Sequence, residues 1–390
     1  MNERKLRMGM VGGGEGAFIG NVHRMAANLD GQIELVCGAF SSNAERSAAS
    51  GRDLYLPSER CYASYAEMFE KEKALPEDQR MDFVSIVTPN HLHFDVAKQA
   101  LANGFHVICD KPATFNLKEA LELKKLIDKS NLVYGLTHTY TGYPLVKEAR
   151  HLITKGSLGN VVKVVAQYTQ GWLAATEDTN NKQAEWRLDP TRAGISCCMG
   201  DIGVHAVNLM EYITKQYVTE LCADLSATVD GRKLDDDGTV LLKFDGGAKG
   251  LLTSSQISVG DENNLCISVF GDKASLTWRQ QEPNTLWLAY NDQPTQMIRT
   301  GVGSKGNEAD LATRTPAGHP EGYLEAFANL YTRFAMQIRA FPAPLTQCEP
   351  IPNIDDAIRG MAFIENAVSA SQSDVKWHKF TTTMTGVSDA

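Results

Sequence analysis

The sequence predicts an α/β protein in two parts: a doubly wound parallel sheet covered by helices, then an α/β domain built on an open, mostly antiparallel sheet. Three observations carry this. Up to about residue 138, short apolar runs alternate with amphipathic helical stretches, the mark of βαβ units. From Val161 onward, runs with β character follow one another with turn residues and few helices between them. The 390 residues suit two domains at ~100–200 residues each, which the change of pattern places at 1–138 and 139–390.

In order, the parallel strands are expected at Arg7–Val11, Glu34–Ala39, Phe83–Val87, Phe105–Cys109 and Leu132–Leu136. A helix from His93 to Asn103 puts Val96, Ala97, Ala100 and Leu101 on one face and stops at Gly104, a residue suited to a left-handed C-cap. The next starts at Asn116 with Glu119 three residues on, a capping box, and turns Ala120, Leu123 and Ile127 inward. A helix from Pro144 to Lys155 ends at Gly156. Strands follow at Val161–Tyr168, Leu221–Val229, Thr239–Phe244, Gly250–Ile257, Leu265–Phe270, Ala274–Trp278 and Leu286–Ala289. Turn signals such as Asp245-Gly246-Gly247 and Gly271-Asp272 make them read as an antiparallel meander. Residues 300–318 read as a surface loop, and Tyr323–Ile338 and Ile354–Val368 as two amphipathic helices.

Charge and composition exclude several classes. With 38 basic against 47 acidic residues the net charge is -9, the wrong sign for a nucleic-acid footprint or an anionic membrane surface. The least polar runs, Val84–Val87 and Val161–Ala166, fall far short of the ~18 residues of a spanning helix. The start, with Met8–Val11 running into three glycines, holds no apolar core of signal-peptide length, so a cytoplasmic location is expected. The eight cysteines include no Cys-x-x-Cys pair and no zinc spacing, and read as structural thiols; no metal is expected.

The first strand runs straight into Gly12-Gly13-Gly14-Glu15-Gly16-Ala17, which fits G-x-G-x-x-G/A through Gly12, Gly14 and Ala17 and opens a helix through Phe18 and Ile19. Such a turn lets a pyrophosphate approach the backbone, and the helix N-terminus offers free N–H groups and a positive dipole end. The acid that usually holds the adenosine ribose is absent after the second strand. Ser41, Ser42 and Arg46 stand there instead, suited to a ribose or a 2′-phosphate, so NAD and NADP both stay open. Thr88-Pro89-Asn90-His91, with His93 close behind, and Asp110-Lys111-Pro112 follow parallel strands at their carboxyl ends, where ligands bind in such sheets. His91 and His93 form an H-x-H without a third ligand near. Asp201 and His205, four apart in a helix opened by Gly200, share one face. An acid beside a histidine is what a general base needs, while a capping Asp before a core His is the plainer alternative. Trp186-Arg187 lies in an irregular polar stretch, where the arginine is a candidate partner for a carboxylate or phosphate.

The order and spacing of these motifs resemble the Gfo/Idh/MocA oxidoreductases over nearly the whole chain. The resemblance implies an N-terminal Rossmann domain, a C-terminal domain whose open sheet pairs subunits into a homodimer or homotetramer, and hydride transfer between a nicotinamide cofactor and a sugar or cyclitol. Lys111 matches the lysine of the family's Glu-Lys-Pro, with Asp110 in place of the Glu, and Asp201 and His205 match its Asp-x-x-x-His. The strings Gly16–Arg24, Thr137–Tyr143 and His319–Tyr323 resemble a subgroup that includes levoglucosan dehydrogenase, which implies a pyranose or anhydrosugar oxidised at C3. On this likeness Lys111, Asp201 and His205 are catalytic, and His138, Tyr140 and Tyr143 join them around the substrate, with Trp186 a further candidate wall. Trp186 and Arg187 are also placed at the cofactor. Two alternatives use the same residues: a glycosidase that oxidises C3 transiently and eliminates the aglycone, and a sensor that binds without turnover.

Overall fold

In a computed structural model, which describes residues 4–175 and 182–383, the first sheet is made of β1 (Leu6–Gly12), β2 (Ile33–Ala39), β3 (Phe83–Val87), β4 (His106–Cys109) and β5 (Tyr134–Leu136). All pairs are parallel, in the order β2-β1-β3-β4-β5. The direction of winding therefore switches between β1 and β3, where a crevice opens at the strands' carboxyl ends. Its helices are α1 (Phe18–Leu29), α2 (Ala44–Asp53), α3 (Tyr65–Ala74), α4 (His93–Ala102) and α5 (Leu117–Ser130). Local chemistry accounts for their ends. Asn116 accepts from Glu119 N at 2.9 Å and Glu119 Oε2 from Phe115 N at 3.0 Å, so the box closes one residue before the cap. Gly104 takes φ +88° and ends α4. Ile127, expected inside, is only half-buried, because the inner face of α5 is carried by Leu117, Ala120 and Leu123.

The second sheet follows α6 (Pro144–Thr154). It comprises β6 (Val161–Thr169), β7 (Val218–Ser226), β8 (Asp237–Phe244), β9 (Lys249–Ser255), β10 (Asn264–Gly271), β11 (Ala274–Arg279), β12 (Thr285–Tyr290), β13 (Gln296–Arg299) and β14 (His378–Lys379). The order is β13-β12-β11-β10-β6-β9-β8-β7-β14, so the expected meander is broken: β6 lies between β9 and β10, and parallel to β9. The other pairs are antiparallel. Short helices α7 (Lys182–Arg187) and α8 (Pro190–Ala193), then α9 (Val204–Thr214), belong to the same part. Within the expected loop 300–318 sits a one-turn helix, α10 (Asn307–Leu311), held where Gly306 N donates to Glu148 Oε2 on α6 at 2.7 Å. Five residues are too few to show a helical period.

The two remaining helices are α11 (Tyr323–Ala340) and α12 (Ile354–Ser371). The chain divides into a unit that runs to Thr139 and takes in Tyr323–Ala357, and a second that holds Tyr140–Gly322 and the chain from Ile358 on. The segment 323–357 thus differs from the simple two-part division by joining the first unit. There, Phe327, Tyr331 and Phe334 of α11 share a core with Val22 and Ala26 of α1 and Met8, Met10 and Phe83 of the sheet. No helix among the described residues is long and apolar enough to cross a membrane.

Two histidines of the first unit, His106 half-buried and His138 buried, give it a pH signature. His106 Nδ1 accepts from Val133 N at 3.0 Å, and burial lowers its pKa to about 4. Burial, then the charge of Lys111, lowers that of His138 to about 3. Both folded values lie below the roughly 6.5 of an unfolded histidine, so the unfolded chain binds protons first as pH falls. Their contribution is complete above that value and declines toward pH 4 and 3. Calorimetric Tm is expected to drop by several degrees between pH 7 and 4, at roughly 2–4 °C per kcal/mol. His106→Asn, which keeps an acceptor for Val133 and does not titrate, should flatten the slope; an identical slope would remove His106 from the account.

Candidate active site

At the end of β1 the glycine loop is built for close approach. Gly12 has φ +83°, and a Cβ there would meet Val87 O at 2.9 Å and Thr88 Cγ2 at 3.0 Å. A Cβ on Gly14 would meet Phe40 O and Ser50 Oγ, each at 2.8 Å. Glu15 N donates to Ser50 Oγ at 3.2 Å, Ala17 N to Gly14 O at 3.0 Å, and Arg24 Nη1 to Gly13 O at 2.7 Å, fixing the turn. Helix α1 then starts after Ala17 without a side-chain cap, and Glu15, Gly16 and Phe18 are exposed, with Ile19 half-buried. At the end of β3, Thr88 Oγ1 is buried without a protein partner. An uncapped helix start behind a glycine turn, next to an orphan hydroxyl, fits a dinucleotide pyrophosphate.

After β2, Ser41 Oγ accepts from Asn43 N at 3.1 Å and Asn43 Oδ1 accepts from Arg46 N at 2.9 Å, which caps α2. Ser42 and the Arg46 side chain are exposed, and no carboxylate stands at the carboxyl end of β2. Further along the crevice, His93 ties the two expected loops together. Its Nε2 lies 2.7 Å from Thr88 O and its Nδ1 2.7 Å from Pro112 O; of the residues between, Asn90 is buried and Pro89 half-buried. Burial works against a charge on this ring, while the two carbonyls and Asp110 favour it; the net shift is downward. Asp110 Oδ1 accepts from Lys111 N at 2.9 Å and from Thr137 Oγ1 at 2.8 Å. Burial alone would raise its pKa, but His23 and the charges of Lys111 and His93 hold it well below the usual range, so it is a carboxylate. Lys111 is half-buried beside it, and its charge helps keep His138 neutral.

In the second unit, a π-helical turn, Met199–Gly203, leads into α9 and carries Asp201, with His205 following one residue into the helix. Such turns recur at functional sites. A Cβ on Gly203 would meet Met199 Sδ at 2.6 Å, which explains a glycine there. Asp201 Oδ2 accepts from Arg187 Nε and from Gln256 Nε2, both at 2.9 Å. Arg187, expected at the cofactor, is thus engaged with Asp201, and its guanidinium lies 4.3 Å from the Trp186 ring, covering one face of that indole. Gln256, fully buried and accepting from Cys197 Sγ at 3.3 Å, was not foreseen, because a glutamine just past a strand carries no local signal. His205 is 8% exposed, with the rings of Tyr140 at 5.0 Å and Tyr168 at 6.4 Å. Burial raises the Tyr140 phenol, which stays neutral and hydrogen-bonds Tyr168. Tyr143, expected as a substrate wall, is buried and packs on Trp278 at 5.2 Å and on Tyr140 at 6.3 Å. Among the described residues no three His, Cys, Asp or Glu side chains are grouped to hold a metal ion.

The structure therefore gathers the glycine loop, Thr88, His93, Asp110, Lys111 and His138 at one end of the parallel sheet, and Asp201, His205, Arg187 and Tyr140 at the start of α9. Residues 6–138 match the family model of the oxidoreductase family with an NAD-binding Rossmann fold, and 146–277 that of the GFO/IDH/MocA C-terminal domain. The chain is 34% identical over 387 residues to the uncharacterized oxidoreductase YfiI of Bacillus subtilis, covering 97% of each. It superposes with a TM-score of 0.92, at 35% identity, on the crystal structure of an inositol dehydrogenase homolog complexed with NAD+ from Azotobacter vinelandii, covering 97% of this chain and 98% of that one. The same homolog has been solved with NADH and myo-inositol. Levoglucosan dehydrogenase of Pseudarthrobacter phenanthrenivorans is 23% identical over 74% of this chain and 77% of its own. With its glycine loop, Lys111, and Asp201 four residues before His205, all in matched domains, the chain belongs to the Gfo/Idh/MocA oxidoreductases and carries their NAD-binding Rossmann domain.

Proposed function

We propose that this oxidoreductase is a dehydrogenase of a sugar, anhydrosugar or cyclitol, acting at a ring hydroxyl, with C3 as the position. NAD is its cofactor, and the missing acid after β2 admits NADP. The observation that carries the reading is His205 at the head of α9, bordered by Tyr140 and Tyr168, with an Asp201 whose carboxylate is pinned by Arg187 and Gln256. Relatives named for levoglucosan and myo-inositol support the substrate class.

Bound nicotinamide supplies the hydride acceptor. His205 takes the hydroxyl proton onto its imidazole, Lys111 donates a hydrogen bond to the same oxygen as negative charge develops, and Asp201 orients His205. The Gly12–Ala17 loop and the start of α1 hold the pyrophosphate. The test is a screen of myo-inositol, levoglucosan, monosaccharides and glycosides with NAD+ and NADP+, followed at the NADH absorbance band. Steady NADH production with one of them is expected. Glycoside cleavage without net NADH would make the enzyme an eliminating glycosidase, and binding without turnover a sensor.

We also propose a homodimer or homotetramer formed through the second sheet. On the face away from the core, Leu241, Leu251, Val165, Ser268, Thr277, Trp287 and Met297 form one row across seven strands. Leu241, Trp287 and Met297 are 42%, 40% and 54% exposed, an apolar stripe that sheet-on-sheet pairing would cover. Light scattering at micromolar concentration should give a multiple of the 42.7 kDa chain mass; a monomer would contradict it.

A further inference from the structure

Behind Asp110 the first unit buries polar side chains that neither the glycine loop nor the hydride chemistry requires. His23 on α1, Ser85 on β3 and Thr137 after β5 are fully buried, and Tyr331 on α11 nearly so. They form one continuous set. The Tyr331 hydroxyl lies 2.7 Å from His23 Nδ1 and 2.9 Å from Ser85 Oγ, which is itself 3.3 Å from Nδ1. On the far side of the ring, Nε2 faces Asp110 Oδ1 at 3.9 Å. That nitrogen is buried and has no hydrogen-bond partner at the present distance. Phe327 and Tyr331 of α11 pack edge-on against the imidazole, with centroids at 4.8 and 5.8 Å, and hold its plane.

For a neutral imidazole, counting protons fixes the direction of the chain. Each hydroxyl has one hydrogen to give. If Ser85 donates to Tyr331 and Tyr331 donates to Nδ1, the ring proton sits on Nε2 and points at a carboxylate. The reverse order would place a bare Nε2 lone pair against the Asp110 oxygen, two acceptors facing each other in a dry core. The first arrangement satisfies every group once Nε2–H closes on Oδ1, an oxygen that already accepts the Lys111 backbone N–H and the Thr137 hydroxyl.

We propose that His23 is a positioning residue for Lys111: Ser85 and Tyr331 fix its Nε2–H tautomer, and that N–H braces the Asp110 carboxylate that anchors Lys111. The proposal rests on the role given to Lys111 above. It also assigns a purpose to the return of α11 to the first unit, since α11 supplies the Tyr331 hydroxyl. Because His23 lies on the helix opened by the glycine loop, the brace ties the cofactor-binding helix to the loop after β4.

The experiment compares His23→Asn, whose amide reaches the Tyr331 side and has no donor toward Asp110, with His23→Gln, whose longer amide places an N–H near the Nε2 position. Two measurements need no sugar. In 15N spectra of the histidine-labelled protein, the His23 signals, assigned by their loss in the variants, should report the neutral Nε2–H tautomer. The Nδ1–H tautomer would overturn the proposal. In 13C spectra of lysine-labelled protein, the Lys111 Cε resonance, assigned by its loss in Lys111→Met, should move in His23→Asn and return toward its original place in His23→Gln. An unmoved resonance would also overturn it.

With the sugar found by the screen, His23→Asn should lower kcat by roughly 10–100-fold, the effect of a small misplacement at a reacting group, with KM and NAD+ affinity nearly unchanged. His23→Gln should recover most of the loss. Equal damage in both variants, accompanied by a lower Tm, would make His23 a packing residue only. If no sugar is oxidised, the dehydrogenase reading fails while the two spectra still decide whether the brace exists.

Discussion

His205→Ala is expected to lower the turnover of sugar oxidation by roughly 10²–10⁴-fold, the usual contribution of a positioned general base, while NAD+ affinity stays near that of the parent enzyme. The separation follows from the roles proposed, since His205 handles the hydroxyl proton and the glycine loop the pyrophosphate. Oxidation should also slow as pH falls, because only a neutral imidazole accepts a proton. Lys111→Ala should cost a comparable factor, through loss of the donor to the developing alkoxide. Asp201→Asn should cost less if orientation is its main work. The amide oxygen can still accept from Arg187 and Gln256, although the charge that balances Arg187 is lost. Steady-state NADH production across pH, with circular dichroism to confirm folding, measures all three. Parental turnover and pH profile in His205→Ala would place the base elsewhere and make His205 a core histidine.

Gly14→Val should weaken NAD+ binding by about 10–100-fold, the equivalent of overpacking a close contact by roughly 1–3 kcal/mol. The sequence suggests that the new side chain would occupy the pyrophosphate's volume. The structure adds a nearer obstacle, the carbonyl of Phe40 and the hydroxyl of Ser50, each 2.8 Å from the new Cβ. The loop must move off the end of β2 before any ligand arrives, so Tm should fall with the affinity while the fold persists. Calorimetric titration is the check, and undiminished affinity would remove this loop from the cofactor site.

How much of this was legible beforehand depended on how local each signal is. The glycine turn after β1, the capping box at Asn116 and the stop at Gly104 are each written within a few residues, and each stands where it was expected. Helix α11 was legible as a helix, yet its period holds no hint that it packs on α1 in the first unit. Strand β13 alternates too weakly to be read, since all four of its residues are partly or fully exposed. Tyr143 stands near Tyr140 in an aromatic string, both rings are buried, and only the packing of distant elements sets one against Trp278 and the other against His205.

By itself the sequence determined the class of chemistry: a glycine turn between strand and helix, a lysine after a parallel strand, and an acid four residues before a histidine. These are short-range patterns, and backbone periodicity places them without long-range information. Tertiary structure alone decided which groups tune them. Arg187 and Gln256 meet at Asp201, His93 joins Thr88 to Pro112, and Tyr331 reaches His23 across the first unit. A buried polar group must find a partner wherever the fold supplies one. The identity of that partner is set by which distant elements pack together, and no local pattern records it.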